Sequence, residues 1–251
     1  MPIVIQSDGL RLTAERSRPT ARPGVKLPGV VILHGLPPAG AEYATASLPE
    51  LAERIASDLG WHAIVPALRG AGRSEGNFSM DGWLNDLLAI AADLRAEPDV
   101  SDVWLAGFGT GGAIAICAGA RDPQIHGVAA LGTPADFDDW AGHPRRLVQH
   151  ARELRLIRDE TFPENMEAFS RPLREIQAVR CAAALEPRSL LVVHGSDDEN
   201  VPVFDARVIA DAHGSAELRI IAGAGHQLRH DPRAMAILLG WLDRERRAQL
   251  V

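Results

Sequence analysis

An α/β architecture, a mostly parallel sheet flanked by helices, is what this chain of 251 residues predicts, and three observations carry the prediction. Short apolar runs of strand length recur from Gly29 onward. Amphipathic helical stretches separate most of them, and such alternation argues for parallel strands joined by helical crossovers. Gly, Pro or Asp stands at several of the boundaries, where these residues stop helices and form turns.

The elements follow in order. Polar and apolar residues alternate on either side of Asp8-Gly9, through Ile3-Val4-Ile5 and Leu10-Arg11-Leu12, which predicts an edge β-hairpin. Val30-Val31-Ile32-Leu33 is the first buried-strand candidate, and Leu48 to Leu59 the first helix. Further strands are expected over His62 to Ala67, Val103 to Ala106, Val128 to Leu131, Leu190 to Val193 and Leu218 to Ile221. Helices are expected over Trp83 to Arg95, Gly112 to Ala120, Asp205 to Ala212 and Ala234 to Arg247. The interval from about Pro134 to Pro187 is longer than a crossover needs and rich in helix formers. It reads as a small helical insertion within a single domain spanning residues 1–251. A cap over a pocket is favoured over an excursion on the outer face, because ligands of open α/β sheets lie above the carboxyl ends of the strands.

Composition narrows the function. A chain of this length that is 46% hydrophobic can bury one large core. Its 26 Lys and Arg against 33 Asp and Glu leave a net charge of -7 with no basic run, which excludes a nucleic-acid footprint. Two cysteines, Cys117 and Cys181, are too few for a disulfide framework and lack zinc spacing, so Cys117 is expected as a packed core residue in a reducing compartment. Met1 to Leu10 has no signal-peptide pattern and no apolar run reaches a bilayer span, so the expectation is a cytoplasmic protein without a membrane partner.

The chemistry concentrates at strand ends. Gly107-Phe108-Gly109-Thr110-Gly111-Gly112 follows a strand and opens an apolar helix. Leu191-Val192-Val193 runs into His194-Gly195-Ser196-Asp197-Asp198-Glu199-Asn200-Val201-Pro202, and Ala222-Gly223-Ala224-Gly225-His226 follows the last strand. His34-Gly35-Leu36 follows an early strand, and Arg69-Gly70-Ala71-Gly72-Arg73-Ser74 another. Together these resemble an α/β-hydrolase throughout the chain: a GxSxG nucleophile elbow, an acid loop of the form HGxxDxxVP and a terminal base, in the family's order.

The resemblance implies Asp198 as the acid, with Asp197 as its alternative, and His226 as the base. It implies the amides of Leu36 and Thr110 as an oxyanion hole; Pro37 and Pro38 have no N–H to give. At the nucleophile position stands Gly109, which has no side chain. Ordinary serine-esterase chemistry through that position is therefore excluded, and Thr110, one residue on, projects from the wrong place on the turn to replace it. A pseudoenzyme retaining a pocket for a small acyl compound or carboxylate is the favoured expectation. The alternatives are an enzyme using His226 and Asp198 as a base without an acyl-enzyme, and an interaction scaffold using residues 134–187. Gly107, Gly109 and Gly112 also fit GxGxxG, a dinucleotide pattern, although no acidic residue closes the next strand. His226, His230 and Asp231 are too few and too irregularly placed for a metal. No cofactor is expected.

Overall fold

The computed structural model describes residues 1–20, 22, 24–37 and 47–248. Within them, eight strands form one mixed, mostly parallel sheet in the order β1-β2-β4-β3-β5-β6-β7-β8. The first two, β1 (Pro2–Ser7) and β2 (Leu10–Ser17), are the expected hairpin, and Asp8 and Gly9 both take positive φ in its two-residue turn. β2 pairs antiparallel with β4 (His62–Pro66). The remaining pairings, through β3 (Leu27–Leu33), β5 (Val100–Phe108), β6 (Ile125–Leu131), β7 (Ser189–Gly195) and β8 (Glu217–Ile221), are parallel.

Several strands run past their expected ends. β5 begins at Val100 and continues through Gly107 and Phe108, because its neighbours β3 and β6 supply ladder partners that local propensity does not foresee. The central strands are continuous apolar runs because both faces are covered. On one face pack α1 (Ser47–Arg54), which runs into a wider helical turn at Ile55–Leu59, and α9 (Pro232–Ala248). There Trp104 meets Trp61 and Trp241 edge to face, with centroids 5.8 and 5.4 Å apart. On the other pack α2 (Met80–Arg95), α3 (Thr110–Arg121) and α8 (Val203–His213). Ser79 caps α2 by accepting from the amide of Gly82.

Four helices lie between β6 and β7: α4 (Asp138–Gly142), α5 (Pro144–Glu153), α6 (Met166–Glu175) and α7 (Ala178–Leu185). They bury Leu147, Phe169 and Leu173 against the α2 and α3 side of the core. Hydrogen bonds from this segment tie it to loops at the strand ends. Arg158 donates from Nη2 to the carbonyls of Gly70 and Gly72, at 2.8 and 2.6 Å. His150 Nε2 lies 2.9 Å from the carbonyl oxygen of Pro37.

One expectation is corrected. Cys117 is fully buried, but it is not a lone packed thiol: it forms a disulfide with Cys181, joining α3 to α7 across 64 residues of sequence. Separation along the chain says nothing about spatial proximity here, because the intervening segment leaves the sheet and returns. The disulfide also removes the support that cysteine content lent to a reducing compartment. Among the described residues no helix is long and apolar enough to cross a membrane.

Candidate active site

Parallel pairing puts the carboxyl ends of β3, β5, β6, β7 and β8 along one edge of the sheet, and the motif loops all leave from that edge. Gly109 is the sharp link between β5 and α3, at φ 55° and ψ -125°. This is a region that essentially only glycine enters without strain. Its amide donates to the Leu131 carbonyl at 2.8 Å, and its own carbonyl receives the Gly112 amide at 3.0 Å, so the turn is fixed on both sides.

The neighbouring glycines are closed by packing. A Cβ at Gly35 would fall 2.5 Å from the Phe108 carbonyl oxygen, at Gly107 2.4 Å from the Gly111 backbone, and at Gly112 2.0 Å from Thr133 Oγ1. Close approach of the chain to itself therefore requires glycine at 107 and 112, which gives the GxGxxG spacing a reason unrelated to phosphate. Gly109 differs. Among the described residues, and apart from its chain neighbours, a Cβ there would meet only His226, with Nε2 at 3.7 Å and Cε1 at 3.9 Å.

Asp198 sits in the loop after β7 with its side chain fully shielded. Oδ1 accepts the amides of Asn200 and Val201, each at 2.9 Å, and Oδ2 lies 2.9 Å from His226 Nδ1 and 3.3 Å from His194 Nε2. Burial raises the carboxyl pKa, but hydrogen bonds from His194, His226 and the Val201 amide outweigh it and hold the group well below the ordinary carboxylate range. Asp197 turns away and accepts the Ser196 hydroxyl at 2.6 Å. Asp198 is thus the carboxylate that meets His226.

With Nδ1–H directed at Asp198, His226 presents the lone pair of Nε2 toward Gly109. That tautomer is the one a general base needs. Its side chain is 22% exposed, enough to meet a ligand. Gly132, just after β6, comes within reach of both members of the pair: a Cβ there would be 3.6 Å from His226 Nδ1 and 3.8 Å from Asp198 Oδ2.

Two cavities share Leu36, Pro37, Gly109 and His226. The larger, about 460 Å³, extends beneath the α4–α5 segment and is lined by Thr110, Phe137, Trp140 and His150 as well as Asp136, Asp138 and Asp139. The smaller, about 70 Å³, is lined by Phe108 and Leu228 and has Arg229 at its side. Beneath them, burial drives the pKa of His34 down to about 4; the Gly35 carbonyl opposes this and nearby Arg229 reinforces it. His34 packs edge to face on Trp83 at 5.2 Å.

Leu36, Gly109, Thr110, Asp198 and His226 are therefore brought to one place. Pro38 lies outside the described residues. The Arg69–Ser74 loop is not part of this cluster: Arg69 is turned to buried Asp86, 2.7 Å from Nη2 to Oδ1, and to Asp8. His230 and Asp231 are engaged by Arg229 and Arg233, and the described residues contain no cluster with metal-ligand character. Sequence reasoning missed His194 as a partner of Asp198, although its place at the end of an apolar run was a usable signal. It also missed Phe137, Trp140 and His150, whose helical stretch carries no motif.

The match to known proteins now bears on this arrangement. Residues 28–168 fit the model of the alpha/beta hydrolase fold. The chain belongs to the α/β-hydrolase family. It is 24% identical over 249 residues to 2-hydroxymuconate semialdehyde hydrolase of Pseudomonas sp. (strain CF600), covering 83% of this chain and 84% of that protein. The fold is similar to that of Est1E of Butyrivibrio proteoclasticus, at a TM-score of 0.73 and 19% identity over 99% of this chain and 98% of that one. Est1E has been solved with ferulic acid bound. A thermophilic esterase from Thermogutta terrifontis, solved with malate bound, matches at a TM-score of 0.70 and 19% identity over 98% and 99% of the two chains. Proteins of similar fold thus include ones that hold small carboxylates.

Proposed function

We propose that this α/β-hydrolase keeps the binding and proton-handling parts of a serine-esterase site without its nucleophile. Gly109 occupies the nucleophile's place, Asp198 and His226 act as acid and base, and the amides of Leu36 and Thr110 receive an acyl oxygen. The four helices between β6 and β7, over about residues 134–187, cap the pocket. Its ligand is a small acyl compound or carboxylate, and ordinary hydrolysis through an acyl-serine is impaired or absent.

One observation carries the reading. Gly35, Gly107 and Gly112 have no room for a side chain, whereas among the described residues the Cβ that Gly109 lacks would face only the His226 ring, with Nε2 at 3.7 Å. Side-chain space beside a correctly held base is what a missing nucleophile leaves. Loss of a nucleophile in serine proteases costs on the order of 10⁶-fold in turnover, with roughly 10³ to 10⁴ over water surviving from the oxyanion hole and binding. Steady-state turnover of short activated esters by wild type and Gly109→Ser tests this, with Gly109→Ser, His226→Ala as control. The serine variant is expected to gain His226-dependent activity; equal, His226-independent rates in all three proteins contradict the reading.

A second reading has support from the 2.9 Å contact between His226 Nδ1 and Asp198. In it the pair serves as a base toward water or a substrate proton, with no acyl-enzyme. His226→Ala then abolishes turnover in the wild-type background, and Asp198→Asn weakens it strongly by spoiling the imidazole tautomer.

A further inference from the structure

We infer that the wild-type site transfers an acyl group directly to a small unattached alcohol whose hydroxyl stands where a nucleophilic side chain is missing. This rests on the proposed reading of the pocket and adds an activity to it.

Three features meet at Gly109. The first is space: among the described residues, and apart from Gly109's chain neighbours, only His226 Nε2 and Cε1 come within 4 Å of the position a Cβ would take. An oxygen that is not covalently attached can rest between the bare Cα and the imidazole. The second is the base. Asp198 holds His226 Nδ1, so Nε2 is the nitrogen left to accept the proton of that hydroxyl. The third is the pair of cavities, both of which are lined by Gly109 and His226 and otherwise differ in most of their walls. An enzyme that parks its acyl group on itself meets its substrates one at a time; a site without a nucleophile must hold donor and acceptor together. The larger cavity has room for the acyl donor. The smaller admits only a few heavy atoms, and its lining joins apolar Leu36, Pro37, Phe108 and Leu228 to polar Gln227 and Arg229, which suits a short alcohol with a carbon chain for the former.

The reaction balances without any further reactant. The donor ester lies with its carbonyl oxygen toward the Leu36 and Thr110 amides. The acceptor oxygen bonds to the carbonyl carbon as its proton passes to His226 Nε2, and Asp198 stabilises the imidazolium. Collapse of the tetrahedral species breaks the bond to the leaving alcohol, which takes the proton back from His226. One ester and one alcohol become another ester and another alcohol. Thr110 is not the attacking hydroxyl in this scheme, because it belongs to the first turn of α3 and supplies its amide.

The test uses vinyl butyrate as donor and 1-propanol as acceptor, with propyl butyrate measured by gas chromatography and the protein watched by intact-mass spectrometry. Wild type is expected to form propyl butyrate at a rate that saturates in both substrates with intersecting double-reciprocal lines, and to show no butyryl adduct. His226→Ala is expected to lower that rate by about 10²-fold or more. Gly109→Ala, whose methyl group fills the space, is expected to lower it comparably while leaving His226 in place. Propyl butyrate formed equally well by either variant, or hydrolysis alone in the wild type, overturns the inference. Gly109→Ser separates it from the reading beneath: if that variant turns over with a butyryl adduct and wild type transfers nothing, the pocket stands and direct transfer falls. If neither protein acts on the ester, both fall.

Discussion

His226 Nδ1 lies 2.9 Å from Asp198 Oδ2, and the other ring nitrogen of the same histidine faces the bare Cα of Gly109. A carboxylate and an imidazole are held in register, and in the proposed reading the atom group they would serve is the one that Gly109 lacks. The consequences are measurable in stability, selectivity and chemistry.

The loops at the strand ends are sensitive to acid. His34 has a folded pKa of about 4, depressed by burial, against about 6.5 when unfolded. Between those values the unfolded chain holds more protons than the folded one, so stability is fully present above about pH 6.5 and falls as pH drops through 4. The loss attributable to His34 is about 3 kcal/mol. Asp198 acts in the same direction at lower pH: its depressed carboxyl stabilises above about pH 3.9 and loses that contribution only in stronger acid. Thermal denaturation of His34→Gln between pH 4 and 7 is expected to show a flatter slope than wild type; an unchanged slope removes His34 as the cause.

Restoring a side chain at the elbow costs stability. Gly109 sits at φ 55° and ψ -125°, where an L residue is strained by about 1–3 kcal/mol. Urea titration of Gly109→Ser is expected to give a midpoint below wild type, in the same protein that gains ester turnover. A serine variant as stable as wild type contradicts this account of the turn.

The disulfide between Cys117 and Cys181 closes 64 residues of chain, including the helices over the pocket. Cross-linking a loop of that length stabilises by about 4 kcal/mol in the chain-entropy model. Cys181→Ser, or wild type treated with a reductant under partly denaturing conditions, is expected to unfold at clearly lower urea. Coincident curves with and without reductant show that the bond contributes nothing.

Much of this was legible in the sequence. Strands buried on both faces must be apolar runs, so β3, β6 and β7 announce themselves, and the turns after β3, β5, β7 and β8 carry Leu36, Gly109, Asp198 and His226. What escaped depends on where segments land in space. Nothing near Cys117 signals Cys181, nor does any motif mark His150 as the side chain that reaches Pro37. The ends of β5 were missed because ladder partners, not local propensity, extend it to Val100 and Phe108.

The wall of the larger cavity bears on selectivity. Asp136, Asp138 and Asp139 line the larger cavity, and no Lys or Arg is among its described lining. A carboxylate at the far end of an acyl chain is therefore repelled there, whereas one at the Leu36 and Thr110 amides is not. In the Gly109→Ser background, matched esters ending in ammonium or carboxylate are expected to differ in kcat/KM by about five- to tenfold at low ionic strength in favour of the ammonium, with the gap closing as salt is added. A preference for the carboxylate would contradict this view of the wall.

The central claim is that everything except the nucleophile is in place. Intact-mass spectrometry of Gly109→Ser mixed with a short activated acyl ester, alongside wild type, tests it most directly. The account predicts one acyl group on the serine variant, mapping to residue 109, accumulating when His226 and Asp198 are intact and failing to form when His226 is alanine. Absence of any adduct from a folded Gly109→Ser protein would show that the defect reaches beyond Gly109.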